Sequence, residues 1–301
     1  MKVINQTIKE KYSIYQGDCV EVIKDIPDSS IHYSIFSPPF ASLYTYSSSE
    51  RDMGNCKNDK GFYKHFKFLI DELLRVTIPG RLLSFHCQNF SLMKERDGVI
   101  GRKDFRGELI KRFIKAGWIY HSEVCIWKDP VVEMQRTKAL GLLYKQLKKD
   151  SSMTRNGSPD YLVTMRKPGE NPEKIVHIHG KPPVDVWQKI ASPVWMDINQ
   201  SDTLQKKSAR EELDEKHICP LQLEVIRRGL LLWTNPNDIV LSPFAGIGSE
   251  GYVSLEMGRR FVGIELKKSY YEQAVANLNF VQNKKKIIDP VDFFMNKMKC
   301  R

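Results

Sequence analysis

The fold is decided by a stretch near the end of the chain, DIVLSPFAGIGS at residues 238–249. Its first half is an apolar run that predicts a buried strand, and its second half is a Gly-x-Gly turn that opens an apparent helix. Gly246 and Gly248 allow backbone conformations, and close approaches to a ligand, that a Cβ would block. The order strand, glycine turn, helix is typical of nucleotide-binding α/β sheets. We therefore expect a cofactor pocket at the carboxyl end of this strand.

A carboxylate stands at the end of the next predicted strand. Residues 261–265 read FVGIE, and Glu265 follows the glycine turn by about twenty residues. A carboxylate there can accept hydrogen bonds from both hydroxyls of a ribose. A nicotinamide-dependent enzyme would use the same arrangement, and an ordinary strand–turn–helix would need the glycines only for packing. On these residues alone the nucleotide cofactor stays unnamed.

A second informative segment, SPPF at residues 37–40, follows a predicted strand over residues 31–36. A rigid Pro-Pro corner there would leave Phe40 exposed. It would also offer two hydrogen-bond acceptors, the Ser37 hydroxyl and the Pro38 carbonyl. The corner could equally do no more than end the strand.

The rest of the chain alternates strands with helices, which favours a mostly parallel sheet covered on both faces. Strands are predicted at 12–16, 31–36, 81–86, 119–127, 239–241 and 260–264, and helices at 20–23, 62–76, 105–116, 220–233 and 270–280, with one more ending at 257. The alternation breaks down between residues 128 and 210, a polar and basic stretch. We interpret that stretch as an inserted region on the core of the domain.

Together these segments resemble the amino-group DNA methyltransferases that use S-adenosylmethionine. The block GRRFVGIEL at residues 258–266 is similar to the cofactor-binding end of the β class, in which the catalytic segment precedes the glycine turn. The resemblance covers most of residues 12–127 and 187–281. It implies an α/β, Rossmann-like methyltransferase sheet with a circularly permuted motif order. The implied divisions are a catalytic half (1–127), an inserted target-recognition region (128–210), a cofactor half (211–282) and a basic tail (283–301).

The resemblance also implies the site residues. The catalytic ones are Ser37, Pro38, Pro39 and Phe40, and the cofactor-binding ones are Asp18, His217, Pro220, Ser242, Phe244, Ala245, Gly246, Gly248, Ser249 and Glu265. Asp18 matches a contact to the adenine amino group, although an Asp in a turn also caps helices. His217 and Pro220 match a segment that folds over the methionine end of the cofactor, although His217 could simply satisfy local backbone groups. Ser242 departs from the family, which often has an Asp there to hold the cofactor's amino group.

The chemistry implied for SPPF is methylation of an exocyclic amine. The lone pair of that nitrogen is conjugated into the base, so two acceptors that draw its protons aside would favour attack. Phe40 would stack on a base flipped out of the duplex. The Ser-Pro-Pro-aromatic form favours cytosine N4, while adenine N6 uses the same geometry and stays open. Cytosine C5 methylation is excluded: it needs a thiolate nucleophile, which that family carries in a Pro-Cys dipeptide, and this chain has only the reverse, Cys219-Pro220.

Charge points to an anionic partner. The 47 Lys and Arg against 36 Asp and Glu give a net charge of +11, which favours double-stranded DNA, although a basic surface can also serve solubility. Within the predicted insertion, the candidates for reading base edges are Gln135, Arg136, Arg155 and Asn156. His177 and His179 lack carboxylate or thiol neighbours in the sequence, so no metal site is predicted.

The six cysteines are scattered without a Cys-x-x-Cys pair, which indicates a reducing compartment. No signal peptide and no apolar run of membrane-spanning length is recognised, so we expect a cytoplasmic protein with no membrane partner. A homodimer and a cognate restriction endonuclease are left open. So are three other functions: methylation of RNA or a free nucleotide, a non-catalytic DNA-binding relative, and a nicotinamide-dependent enzyme.

Overall fold

The computed structural model describes residues 3–40, 52–56, 58–92, 94–137, 140–177, 182–204 and 220–283. Its strands are β1 (Val3–Ile8), β2 (Tyr12–Gly17), β3 (Ile31–Phe36), β4 (Thr77–Gln88), β5 (Phe90–Leu92), β6 (Gly101–Lys103), β7 (Ile119–Ile126), β8 (Asp160–Arg166), β9 (Val194–Trp195), β10 (Ile239–Ser242) and β11 (Arg260–Glu265). Its helices are α1 (Cys19–Val22), α2 (Asp59–Val76), α3 (Lys94–Asp97), α4 (Phe105–Lys115), α5 (Pro130–Thr137), α6 (Tyr144–Lys149), α7 (Val184–Ile190), α8 (Leu223–Trp233), α9 (Ser249–Glu256) and α10 (Lys268–Asn283). The predicted site residue His217, the second histidine His179 and the basic tail after 283 lie outside these ranges.

Nine of these strands form one sheet in the order β1-β2-β11-β10-β3-β4-β8-β7-β9. The five strands from β2 to β4 run parallel, while β1 and β8 are antiparallel to their neighbours. The last two strands in the sequence to join the sheet, β10 and β11, therefore lie among strands from the first third of the chain. This confirms the predicted α/β sheet with a permuted order of segments.

Helices cover both faces of the sheet. Successive strand residues point to opposite faces, so Val240 packs into one core with α8, α9 and α10, and Leu241 into another with α2 and α4. On the second face, Phe66 of α2 stacks at 11° on Phe244, which belongs to the glycine turn. The helix α2 begins at Asp59 because the Asn58 side chain accepts a hydrogen bond from the Gly61 N–H at 2.9 Å. The second core thus supports the turn that the sequence marks as a cofactor site.

A polar cluster joins β3, β4 and β10 near their amino ends. The buried Arg81 forms an ion pair with Asp238, and its Nε donates to the His32 carbonyl at 3.1 Å. His32 Nδ1 accepts from the Ile239 N–H at 3.1 Å, so its Nε2 carries the proton and faces Glu173 at 3.4 Å and Asp238 at 3.7 Å. Although these three side chains have the spacing of metal ligands, both ring nitrogens are occupied and Asp238 is paired. The cluster is a structural tie between the strands.

The structure differs from the sequence-based prediction between residues 128 and 210. The strands β8 and β9 of that stretch belong to the main sheet, and β8 lies between β4 and β7. It escaped prediction because its apolar residues sit between Asp160 and Arg166 and polar loops flank it. The edge strand β1 was missed because it is mostly exposed and carries little apolar signal. Within the described ranges, no helix is long and apolar enough to cross a membrane.

Candidate active site

A cleft opens where the parallel strands β2, β3, β10 and β11 end, with about 1090 Å³ of empty space that is partly open to solvent. Both predicted segments reach it, because β3 and β10 are parallel neighbours whose carboxyl ends emerge at one edge. The predicted residues that line it are Asp18, Ser37, Pro38, Pro39, Phe40, Pro220, Phe244, Ala245, Gly246, Ser249 and Glu265. Ser242 and Gly248 lie beside the cleft without lining it.

The glycine turn uses its two glycines differently. Gly246 has φ +52°, and a Cβ placed on it would meet nothing within 4 Å, so it leaves open space at the cleft. Gly248 has φ +85°, and a Cβ there would come within 3.2 Å of the Ala274 Cβ on α10. Gly246 thus lets the backbone border the cleft closely, while Gly248 is needed for the packing of α9 on α10.

Glu265 is held at the end of β11 by backbone donors. Its Oε2 accepts from the Gly246 N–H at 2.8 Å and its Oε1 from the Lys267 N–H at 2.9 Å. Burial raises the pKa of this carboxyl to about 7, against the lowering effect of those two hydrogen bonds. Each oxygen keeps a further lone pair, so the carboxyl can accept hydroxyl groups from a ligand in the cleft. This arrangement fits the ribose of a nucleotide cofactor.

Sequence reasoning missed a second buried carboxyl in the same cleft, that of Glu250. It stands on the first turn of α9, is 4% exposed, and burial raises its pKa to about 8, with Glu265 adding to the rise. In the described part of the chain, the hydrogen bond that favours its ionised form comes from its own backbone N–H. Ser242 is fully buried, and its hydroxyl has no hydrogen-bond partner among the described residues. A ligand cation in the cleft would meet a carboxyl from Glu250.

Asp18 is a helix cap that also lines the cleft, and its contact to an adenine amino group stays a prediction. Its Oδ1 accepts from the Val20 N–H at 3.0 Å and so caps α1, and the residue also lines the cleft next to Cys19. The cap fixes the direction of the side chain, because one oxygen is tied to the helix.

The segment SPPF forms the other wall. Pro38 and Pro39 have no backbone N–H, so beyond Ser37 the corner offers carbonyl acceptors and no donors. Phe40 packs edge-on against Phe90, with ring centroids 5.8 Å apart, and keeps part of its surface exposed. The wall therefore presents acceptors and one aromatic ring to the cleft.

Two titratable side chains that sequence reasoning also missed lie behind Ser37. His86 Nδ1 is 3.2 Å from Ser37 Oγ, and His86 Nε2 is 3.1 Å from Asp160 Oδ2. The one signal in the sequence was that His86 ends the predicted strand 81–86, which follows the predicted strand 31–36 along the chain. Asp160 lies 123 positions from Ser37 in the sequence, and its strand was not predicted.

The candidates for base recognition lie away from the cleft. Arg155 Nη1 is 3.5 Å from Glu133 Oε1, and Glu133 also accepts from the Ser158 N–H at 2.6 Å, so Arg155 is part of a local structural contact. Gln135 and Asn156 are exposed, and the side chain of Arg136 lies outside the described part. A role in reading bases stays a prediction for these residues.

A family model described as DNA methylase, of the N6/N4 type, matches residues 31–276. Among curated proteins, the chain is 25% identical to the DNA adenine methyltransferase YhdJ of Escherichia coli K12, over 90% of this chain and 83% of that one. It is also 25% identical to the type II methyltransferase M.BglII of Bacillus subtilis, over 87% of this chain and 67% of that one.

Two solved structures share the fold, each with a TM-score of 0.67. One is TTHA0409 of Thermus thermophilus complexed with S-adenosyl-L-methionine, at 19% identity over 91% of this chain and 97% of that one. The other is the cytosine-N4-specific PvuII DNA methyltransferase, at 18% identity over 98% and 97%. Since the family model spans most of the sheet and both walls of the cleft, the chain belongs to the DNA methylases of the N6/N4 type, methyltransferases whose methyl donor is S-adenosylmethionine.

Proposed function

We propose that this enzyme transfers a methyl group from S-adenosylmethionine to the exocyclic amino group of a flipped base in double-stranded DNA, at a specific site, with cytosine N4 as the target. The observation that supports this most is the convergence of Ser37 and Glu265 on one cleft. One wall offers hydrogen-bond acceptors for an amine, and the other offers a carboxyl for a ribose. The cleft would thus hold the substrate and the donor side by side.

The cofactor wall would hold S-adenosylmethionine, which supplies an electrophilic methyl group on a sulfonium. Glu265 would accept the ribose hydroxyls, and Asp18 would face the adenine amino group. Gly246 and its neighbours would border the ligand with backbone atoms, as the open space at Gly246 allows. Glu250 would offer its carboxylate to the positive charge of the methionine end, the part that an Asp at position 242 often takes in this family. Pro220 would close the cleft over that end.

The catalytic wall would hold the base. The Ser37 hydroxyl and the Pro38 carbonyl would accept the two amino protons, which turns the nitrogen lone pair out of conjugation and toward the methyl group. Phe40 would stack on the ring of the flipped base, a contact worth about 1–3 kcal/mol. Alignment of donor and acceptor in one cleft would supply much of the remaining acceleration, without a covalent enzyme intermediate.

The choice of base rests on residue 37. Serine in the tetrapeptide favours cytosine N4, in keeping with the cytosine-N4-specific enzyme that shares the fold. Adenine N6 is the second candidate, because the relative from Escherichia coli is named an adenine methyltransferase. Both bases present an exocyclic amine to the same pair of acceptors.

The proposal extends to the surroundings of the cleft. The parts of residues 128–210 outside β8 and β9 would recognise the target sequence, with Lys and Arg on phosphates. The relatives named type II methyltransferases support a partnership with a restriction endonuclease. The free cysteines Cys19, Cys56, Cys87 and Cys125 suit a reducing cytoplasm.

The test is methyl transfer from labelled S-adenosylmethionine to mixed-sequence duplex DNA, followed by digestion to nucleosides and mass spectrometry. We expect N4-methylcytosine; N6-methyladenine would keep the enzyme and change the base. Phe40→Ala should lower the yield, and Phe280→Ala, which alters an exposed ring on α10, should not. Binding of DNA with no modified nucleoside would instead favour a non-catalytic DNA-binding protein.

A further inference from the structure

A chain of polar side chains leads from the catalytic wall into the sheet. Ser37 Oγ lies 3.2 Å from His86 Nδ1, His86 Nε2 lies 3.1 Å from Asp160 Oδ2, and the same oxygen lies 2.6 Å from Lys128 Nζ. Strand register creates the chain: Phe36 pairs with Phe85, so the next residues, Ser37 and His86, are neighbours. Of these four residues, Ser37 is the one that lines the cleft.

The arrangement fixes which nitrogen of His86 carries the proton. Asp160 is 2% exposed; burial by itself raises its pKa, but His86 and Lys128 outweigh that and hold the pKa below its usual value. A carboxylate therefore faces Nε2, so neutral His86 keeps its proton on that nitrogen. The Nε2–H and the Asp160 oxygen meet at a bent angle rather than in line. Nδ1 is then an acceptor, and the Ser37 hydroxyl donates to it. The lone pairs of Ser37 Oγ are left for the cleft.

We propose that His86 is the positioning residue that receives, through the Ser37 hydroxyl, the proton displaced from the target amino group, with Asp160 and Lys128 holding His86 in the tautomer this requires. This inference rests on the proposed function. It adds a route for the proton, which the pair of acceptors at Ser37 and Pro38 does not itself supply.

Atoms and electrons balance in this transfer. The nitrogen lone pair forms the new N–C bond, while the C–S bond of the donor breaks and its electrons stay on sulfur. The methylated nitrogen then carries a surplus proton and a positive charge. That proton passes to Ser37 Oγ as the Ser37 hydroxyl proton passes to His86 Nδ1, and the imidazolium is stabilised by Asp160. His86 returns its proton to solvent when the product leaves.

A serine beside a histidine and an aspartate can also act as a nucleophile. The corner argues against that role here, because acyl transfer needs N–H donors around a developing oxyanion and residues 38 and 39 have none. The same absence of donors suits a substrate that itself brings two N–H groups.

Among the described residues, the charged groups that contact His86 or continue its polar chain are Asp160 on β8 and Lys128, just after β7. The ion pair between Arg106 of α4 and Glu123 of β7 lies on the opposite face of the sheet. Glu123 pairs with Val163 on β8, and Val163 is three residues from Asp160 on the same strand, so their side chains point to opposite faces. An effect of pH on the rate should therefore respond to Asp160→Asn.

The test compares His86→Gln with His65→Gln, which changes an exposed histidine on α2. Single-turnover methyl transfer is measured from about pH 5.5 to about pH 9, with cofactor and DNA saturating. In the wild type we expect the rate to fall at acidic pH, because an imidazolium has no lone pair with which to accept the proton. His86→Gln should lower the plateau rate by about 10²-fold and remove this acidic fall, with cofactor and DNA affinities unchanged. His65→Gln should match the wild type.

A second readout does not depend on activity. Nitrogen NMR of the imidazoles, with the His86 signals identified by their loss in His86→Gln, should show the Nε2–H tautomer in the wild type and a shift toward Nδ1–H in Asp160→Asn. An Nδ1–H tautomer in the wild type would overturn the proposal, and so would an acidic fall that persists in His86→Gln. A wild type that makes no methylated nucleoside would instead overturn the function proposed above, which separates the two failures.

Discussion

At the scale of single residues, the cleft is lined by two carboxyls with raised pKa values, the buried Glu250 and the partly buried Glu265, which should couple cofactor binding to protonation. Burial raises the pKa of Glu250 to about 8 and that of Glu265 to about 7. Near neutral pH a large share of Glu250 is therefore protonated in the free enzyme. A ligand that brings a sulfonium, an ammonium and two hydroxyl donors favours the ionised forms. Binding should accordingly release protons.

We expect the affinity for S-adenosylmethionine to rise between about pH 6 and about pH 9 as these carboxyls ionise. Calorimetry in buffers of different ionisation enthalpy should show proton release on binding. Glu250→Gln should weaken binding at pH 8 and flatten its pH dependence, while Glu272→Gln, an exposed position on α10, should leave both unchanged. An unchanged pH dependence in Glu250→Gln would remove this residue from the cofactor site.

The Glu250 carboxyl should lower the stability of the cofactor-free enzyme. A carboxyl whose pKa is higher in the folded than in the unfolded chain destabilises the fold as pH rises from the unfolded value, near 4.5, to the folded value, about 8. We therefore expect Glu250→Gln to stabilise the cofactor-free protein at pH 8 by on the order of 4 kcal/mol and to have little effect at pH 5. Chemical denaturation at the two pH values checks this, and equal effects at both would contradict it.

At the scale of elements, the two glycines of the turn between β10 and α9 have different surroundings: Gly248 is packed against α10, and Gly246 faces open space at the cleft. Gly248→Ala forces a Cβ against Ala274 on α10 in addition to the left-handed backbone, so it should destabilise the fold by about 2–3 kcal/mol. Gly246→Ala meets no atom within 4 Å, so it should cost about 1 kcal/mol in stability but weaken cofactor binding.

The matched control for the turn is Gly98→Ala. Gly98 has φ +74° and open space around it, like Gly246, but it does not line the cleft. It should reproduce the backbone cost of Gly246→Ala and leave cofactor affinity unchanged. Melting temperature and equilibrium binding on the three variants separate the effects. Equal losses of affinity in Gly98→Ala and Gly246→Ala would refute a specific role for the turn.

Some elements of the fold could be predicted from the sequence, and others could not. The strands β3 and β10 were predicted because each is a mainly apolar run followed by a Pro or Gly signal, and both walls of the cleft follow from where these strands end. The strand β8 is antiparallel and flanked by polar loops, and Asp160 takes its place beside His86 only through pairing between distant strands. No local sequence pattern around Ser37 therefore predicts the proposed proton route. Glu250 was missed because an acidic residue on a first helical turn ordinarily serves the helix dipole.

At the scale of the whole molecule, the sheet interleaves the two ends of the described chain. β10 pairs with β3 on one side and β11 on the other, and β11 pairs with β2, so neither the amino-terminal nor the carboxyl-terminal strands form a complete sheet alone. One core on each face contains residues from both halves. The cleft thus exists only in the assembled domain, which brings the SPPF segment and the glycine turn to one cleft.

The whole molecule also carries the net charge of +11 that the duplex would meet. If several Lys and Arg replace counterions on the phosphates, the logarithm of the DNA affinity should fall linearly with the logarithm of salt concentration, by about 10³-fold between 50 and 200 mM. S-adenosylmethionine affinity should change little over the same range, because its contacts are enclosed in the cleft. Fluorescence anisotropy on a labelled duplex measures the first and calorimetry the second. A flat salt response for DNA, with cofactor binding intact, would mean that the charge is spread for solubility and that the methyl acceptor is something other than a duplex.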